Sequence, residues 1–172
     1  MRLHHPSACA ALILAVAGCA DPVHDQAVQN DGPEDPNVPK GATHRPGQPC
    51  LDCHGGSGPA NAVFTIGGTV YQVAGQPAPV QGAQVQLTDS NGSQWHVPTN
   101  SAGNFFVSTT EWQPVYPMTI QVIYQTALAN MTTHVSRSVS CADCHKDPAG
   151  SRSPGHVYVA YKASEFPGGT GP

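Results

Sequence analysis

The sequence predicts an all-β fold: a two-layer β-sandwich of about seven strands, with a Cys-x-x-Cys-His unit on each flank. Three observations carry this. Two segments alternate strictly between apolar and polar residues, the pattern of a strand with one buried face. Clusters of Gly, Pro, Asp and Asn break the chain at short intervals, as turns do. Beyond the N-terminal apolar run, no segment carries an apolar stripe at helical spacing.

The first strand is expected over residues 63–73, "VFTIGGTVYQV". In the second, "AQVQLTD", Ala83, Val85 and Leu87 alternate with Gln84, Gln86 and Thr88. The turn residues Asp89-Ser90-Asn91-Gly92 lead into the third, "SQWHVPT". A fourth is expected over 103–109. In the fifth, "MTIQVIYQ", Met118, Ile120, Val122 and Tyr124 alternate with Thr119, Gln121, Ile123 and Gln125. Two more are expected over 131–139 and 156–162, and short helical turns suit the Cys-x-x-Cys-His units.

The N-terminus, "MRLHHPSACAALILAVAGCA", has a charged start, an apolar run and a small-residue junction. This is the layout of a signal peptide over residues 1–18, and its apolar run is too short to span a bilayer. Val16-Ala17-Gly18-Cys19 resembles the bacterial lipobox, which implies that Cys19 is acylated and anchors the mature chain. The residue after it is Ala20 rather than Asp, which for lipoproteins of the enterobacterial type implies the outer membrane, on its periplasmic or cell-surface face. Residues 19–43 read as a disordered tether rich in Pro and Asp. Five acids between Asp21 and Asp35 have no Lys or Arg among them, and little apolar surface offsets the ordering entropy. Such a tether reaches roughly 30 Å.

The chain has a formal net charge of −4 and no basic patch, so nucleic acid is not an expected partner. Its six cysteines are fully assigned by position. Cys9 is removed with the signal peptide and Cys19 takes the lipid. Cys50, Cys53, Cys141 and Cys144 all belong to the two motifs, so none remains for a structural disulfide.

Cys50-Leu51-Asp52-Cys53-His54 and Cys141-Ala142-Asp143-Cys144-His145 admit three chemistries. Cys-x-x-Cys-His is the pattern of c-type haem attachment, in which the thiols bond the haem edge and the His becomes the proximal iron ligand. Two Cys-x-x-Cys units also supply the four thiolates of a zinc site. A redox dithiol needs only Cys-x-x-Cys. The immediate His in both units favours two covalent haems, and export to an oxidising compartment disfavours a thiolate zinc site. Zinc is kept as the alternative. Asp52 and Asp143 sit at matching positions and read as solvent-facing charges.

The middle of the chain also resembles the carboxypeptidase regulatory-like (transthyretin-like) family of Ig-like β-sandwiches. The landmarks are Gly68, Thr69 and Val70; Val80, Gly82 and Ala83; Asp89 and Gly92; and Thr99, Gly103 and Phe105. The whole layout is similar to small exported multihaem cytochromes that carry such a domain between haem motifs. His44, Gly68-Thr69-Val70, Gly103-Asn104-Phe105, Tyr116-Pro117, Met131 and Pro154-Gly155 match that pattern. His156 departs from it, standing where the family tends to have Arg. The resemblance implies an electron-transfer protein organised as a first haem segment (44–60), a sandwich (61–139) and a second haem segment with a C-terminal strand and tail (140–172).

An electron-transfer haem usually carries a second axial ligand. His44 and Met131 are the main distal candidates, and His96, His134 and His156 the weaker ones. Met118 reads as core, and His24 lies in the tether. Use of both His44 and Met131 would give the haems unequal potentials. The two ends of a sandwich often cluster, which would bring the motifs together. The expected partners are redox proteins or other cytochromes, with the membrane reached through the lipid. The competing readings are a binding or structural module with haem as a sensor, a zinc protein, and a peroxidase using His96 or His156.

Overall fold

The computed structural model describes residues 21–168. The expected signal peptide with its Cys9, and the expected lipidation position Cys19, lie outside the described residues. Helices α1 (Pro22–Asn30) and α2 (Cys50–His54) precede strands β1 (Phe64–Val73), β2 (Gln84–Thr88), β3 (Gln94–Pro98) and β4 (Asn104–Ser108). Strands β5 (Thr119–Tyr124), β6 (Ala127–Asn130), β7 (Val139–Ser140) and β8 (Val157–Ala160) follow. Among the described residues no helix is long and apolar enough to cross a membrane.

Strand β1 is the axis of the first sheet and is buried along almost its whole length. On one edge it pairs antiparallel with β4, from Phe64↔Ser108 to Thr69↔Asn104, with an irregularity between Phe64 and Ile66. Its other edge is shared by two strands that run parallel to it. Ile66 and Gly67 pair with β7, and Val70 to Val73 pair with β8. The second sheet is antiparallel throughout, in the order β3-β2-β5-β6.

Ile66 and Val70 of the first sheet and Val85, Leu87, Ile120 and Val122 of the second join one apolar core. Two sheets around a shared core are compatible with a sandwich. The alternation read from β2 and β5 is present: Val85 and Leu87 are buried between the half-buried Gln84, Gln86 and Thr88, and Ile120 and Val122 between the more exposed Thr119, Gln121 and Ile123.

Strands expected over 63–73, 83–88, 93–99, 103–109, 118–125 and 156–162 form as β1 to β5 and β8. The strand expected over 131–139 does not form. Its residues are mostly polar, and Val135 alone is buried, bridging to Met118, while Met131 and Val139 pack partly against the core. The neighbouring strands are β6 before it and the two-residue β7 after it. β6 was not expected, because "ALAN" is poor in β-branched residues and no Gly or Asn marks its turn. It is held as a hairpin to β5 through Tyr124↔Ala127, with Gln125 at φ +52.

Residues 22–30, placed in the disordered tether by composition, form helix α1. Asp21 caps it, with Oδ1 accepting from the N–H groups of Val23 and His24, and Pro22 opens the first turn. The segment after the helix is tied to the loop that precedes the first motif. The Arg45 guanidinium donates to the carbonyls of Asp31 (3.1 Å) and Gly32 (2.7 Å).

Two adjacent glycines on β1 let both motifs approach. A Cβ on Gly67 would lie 2.9 Å from the Cβ of Cys50. A Cβ on Gly68 would lie 2.7 Å from the Cβ of Cys141 and 3.1 Å from Phe105 Cε1. Gly68→Ala is therefore expected to cost about 1–3 kcal/mol through overpacking. Gly150→Ala, with nothing within 4 Å of its new Cβ, stays within about 0.5 kcal/mol. Chemical denaturation of the two variants measures the difference, and equal midpoints would contradict the packing described.

Candidate functional site

The first motif forms α2, a helix of five residues whose turn brings Cys50, Cys53 and His54 to one groove. The groove has a volume of about 260 Å³, and His44, Phe64 and Phe106 also line it. The His54 ring stacks on Phe64 at 4.2 Å, and Phe64 on Phe106 at 4.8 Å, making an apolar wall. The His44 ring lies 5.9 Å from that of His54. His44 thus accompanies its own motif.

The ring nitrogens decide what these histidines can do. His54 Nδ1 lies 2.8 Å from the Ala62 carbonyl. A carbonyl only accepts, so Nδ1 carries the proton and Nε2 keeps a free lone pair. His44 Nδ1 bonds the Gly41 carbonyl in the same way. A backbone carbonyl on the far nitrogen is a common support for a metal-binding histidine.

A buried polar relay holds the His44 loop against β1. The Gly47 N–H donates to Thr69 Oγ1 (2.7 Å), and that hydroxyl donates to Asn104 Oδ1 (2.7 Å). Asn104 Nδ2 in turn donates to the His44 carbonyl (2.9 Å). Both side chains are buried, so each bond they make offsets a desolvation cost.

The second motif follows β7 as a single 3-10 turn, Cys141–Asp143, and His145 N–H donates to the Cys141 carbonyl (2.8 Å). His145 Nδ1 lies 3.0 Å from the Gly155 carbonyl, which leaves its Nε2 free as at His54. Cys141, His145, His156 and Tyr71 line a narrow crevice of about 10 Å³. The first motif opens on a groove, whereas the second is nearly closed.

The motifs touch each other. Leu51 N–H, inside the first, donates to Ser140 Oγ, immediately before the second, at 2.7 Å. Asp143, read as a solvent-facing charge, also caps this junction: its Oδ2 accepts from the Ser140 N–H (3.1 Å). Burial pushes its carboxyl pKa up, and the Asp52 charge adds to the effect.

The remaining candidates lie elsewhere. Met131 packs against the core and lines neither cleft. Met118 is fully buried, as expected of a core residue. His96 is exposed on β3 and His134 is exposed in the segment after β6. His24, set aside with the tether, sits on α1 with Nε2 buried and without a hydrogen-bond partner.

Sequence reasoning missed Arg45, Asp147 and the lining role of Phe64 and Phe106. Thr69 and Asn104 were noted as landmarks, but no pattern announced that they bond each other across strands. Among the described residues no three His, Cys, Asp or Glu side chains converge as a zinc site requires.

All four motif thiols are free. Burial is the main cause that pushes Cys50 up to about 11, Cys141 up to about 12, and Cys53 upward. The thiolate is the reactive form, so at about pH 8 only about a thousandth of Cys50 is reactive. In chain made without haem attachment, iodoacetamide should label the exposed Cys144 first and Cys141 last, read by peptide mass.

The same shifts predict a pH dependence. The folded chain holds these thiol protons more tightly than the ordinary 9.0. The stability they contribute is complete below that value and is lost as pH rises through about 11 and 12. Cys141→Ser should flatten that loss, and a wild-type midpoint unchanged across the window would contradict the burial of these thiols. No family model, curated protein or solved structure matches the chain.

Proposed function

We propose that this chain is an exported dihaem c-type cytochrome that passes electrons at the cell envelope, built on a transthyretin-like β-sandwich. One observation carries the reading. In both motifs the histidine beside the second cysteine gives its Nδ1–H to a backbone carbonyl, leaving Nε2 free beside its own cysteines.

Cys50 and Cys53 would hold one haem through thioether bonds, and His54 and His44 would be the histidines that bind its iron. Cys141 and Cys144 would hold the other, with His145 as proximal ligand. Haem, when bound, supplies a one-electron iron couple; the protein supplies ligands, orientation and a dry wall. The donor set and the groove fit at the first motif, where the Phe64 and Phe106 rings offer an apolar face; at the second the Cys and His donors are present beside a nearly closed crevice.

The relay through Thr69 and Asn104 orients the His44 loop. The Leu51–Ser140 bond keeps the two attachment segments in contact, so the groups they hold are neighbours. His44 beside His54 would give the first haem two histidine ligands, the usual set of an electron-transfer haem rather than that of a peroxidase or gas sensor. The anchor is the acylated Cys19 at the outer membrane, and the partners are redox proteins.

Expression with a cytochrome c maturation system tests the reading. Intact mass and a haem-stained denaturing gel should report two covalent haems, and Cys144→Ser should leave only one normally attached. A wild-type protein that carries zinc and no haem would overturn it. His44→Ala should leave both haems attached while about half of the reduced protein gains carbon monoxide binding; no gain would remove His44 as a ligand.

A further inference from the structure

We propose that residues 21–34 are a detachable arm: docked as α1 they wall one side of the first groove, released they return to a flexible tether, and Arg45 is the latch between the two states. The latch works in the same way whatever the motifs bind.

Helix α1 is weak on its own. Its nine residues include Val23, His24, Val28 and Asn30, all low in helix propensity. Isolated helices shorter than about 12–15 residues are marginal in water. The N-terminus is capped from within the segment, by Asp21, but the last turn carries no basic residue. The carbonyls at that end are met from outside. Arg45 gives Nη1 to the Asp31 carbonyl (3.1 Å) and Nη2 to the Gly32 carbonyl (2.7 Å). A cation placed there caps the helix end and complements its dipole. Nη1 also donates to Gln48 Oε1 (2.6 Å), which fixes the guanidinium against its own loop. The Arg45 backbone stands at φ +50, a conformation uncommon outside glycine.

The other contacts of the arm are slight. α1 lies against α2 with His24, Ala27 and Val28 half-buried, and none of its residues is fully buried. Among the described residues its side chains make hydrogen bonds only within the segment. The Arg45–Glu34 pair, at 3.9 Å and partly exposed, contributes little. His24 Nε2 is buried without a partner, which counts against the docked state. Gly32, at φ +71, supplies the bend where the helix meets the latch.

Asp31 and Arg45 line the first groove together with Cys53 and His54. Docking therefore completes that wall, and release opens it. With the anchor expected at Cys19, just before the arm, release also lets the domain swing on a flexible chain that spans roughly 20 Å on average. The polar composition that reads as a disordered tether describes the released state.

Hydrogen exchange read by mass spectrometry, on the whole chain made without haem attachment, tests this. In the wild type, amides 25–32 should be protected, yet exchange at least about tenfold faster than those of β1 and β5, through an opening that leaves the sheets intact. Arg45→Gln should remove that protection and leave β1 and β5 unchanged. Ala27→Pro breaks the helix from within and keeps the latch; it should act in the same way, and iodoacetamide should then label Cys53 several-fold faster with Cys141 unchanged. Unprotected amides at 25–32 in the wild type would show that the arm is not docked. Exchange there at the β1 rate would show that it does not detach. Protection kept in Arg45→Gln, or lost together with that of β1, would remove Arg45 as the latch, and an unchanged Cys53 rate in Ala27→Pro would remove the wall. All of these are read without haem, so none of them decides the dihaem reading.

Discussion

The structure depends on how closely two cysteines can approach one strand. Cys50 and Cys141 press on the adjacent Gly67 and Gly68 of β1, where any side chain would meet them within bonding-clash range. Close approach is a role glycine fills because it has no Cβ, although it weakens a strand. Here the weakness is offset by pairing on both edges, since β1 is flanked by β4 on one side and by β7 and β8 on the other. The outcome is a rigid strand carrying two segments from opposite ends of the domain. Their contact is completed by one hydrogen bond, from Leu51 N–H to Ser140 Oγ.

From that arrangement follows an asymmetry between the motifs. The first leaves its cysteines and His54 along an apolar groove, with His44 held nearby through the buried Thr69 and Asn104 side chains. The second ends in a tight 3-10 turn, with Cys141 packed against the core and His145 facing a crevice. Identical pentapeptide patterns are thus placed in different local environments. For a pair of redox groups this is a physical basis for unequal potentials, because ligand partners and burial both tune an iron couple.

Much of the scaffold was legible in the chain. The alternation at Val85, Leu87, Ile120 and Val122 located two central strands, because burial on one face imposes a period of two. Expected strand 131–139 failed because a loose β-favouring composition does not reveal that only Val135 is buried. Helix α1 was hidden by its polar composition, although Asp21-Pro22 is a recognisable start signal. At the candidate site, Cys50, Cys53, His54, Cys141, Cys144 and His145 were singled out by spacing alone. The partners of His44 and His156 could not be, because Asn104, Asp147 and Tyr71 reach them only through tertiary contact. Met131 fitted a sequence pattern, yet its side chain belongs to the core.

The central claim is that one strand holds two covalent haems as an adjacent pair. Soret-region circular dichroism of the matured protein tests it most directly, because only neighbouring haems couple their transitions. The account predicts a two-signed Soret signal in the intact protein, collapsing to one sign when Cys144→Ser removes normal attachment at the second motif. A one-signed signal from a protein carrying two haems would contradict it.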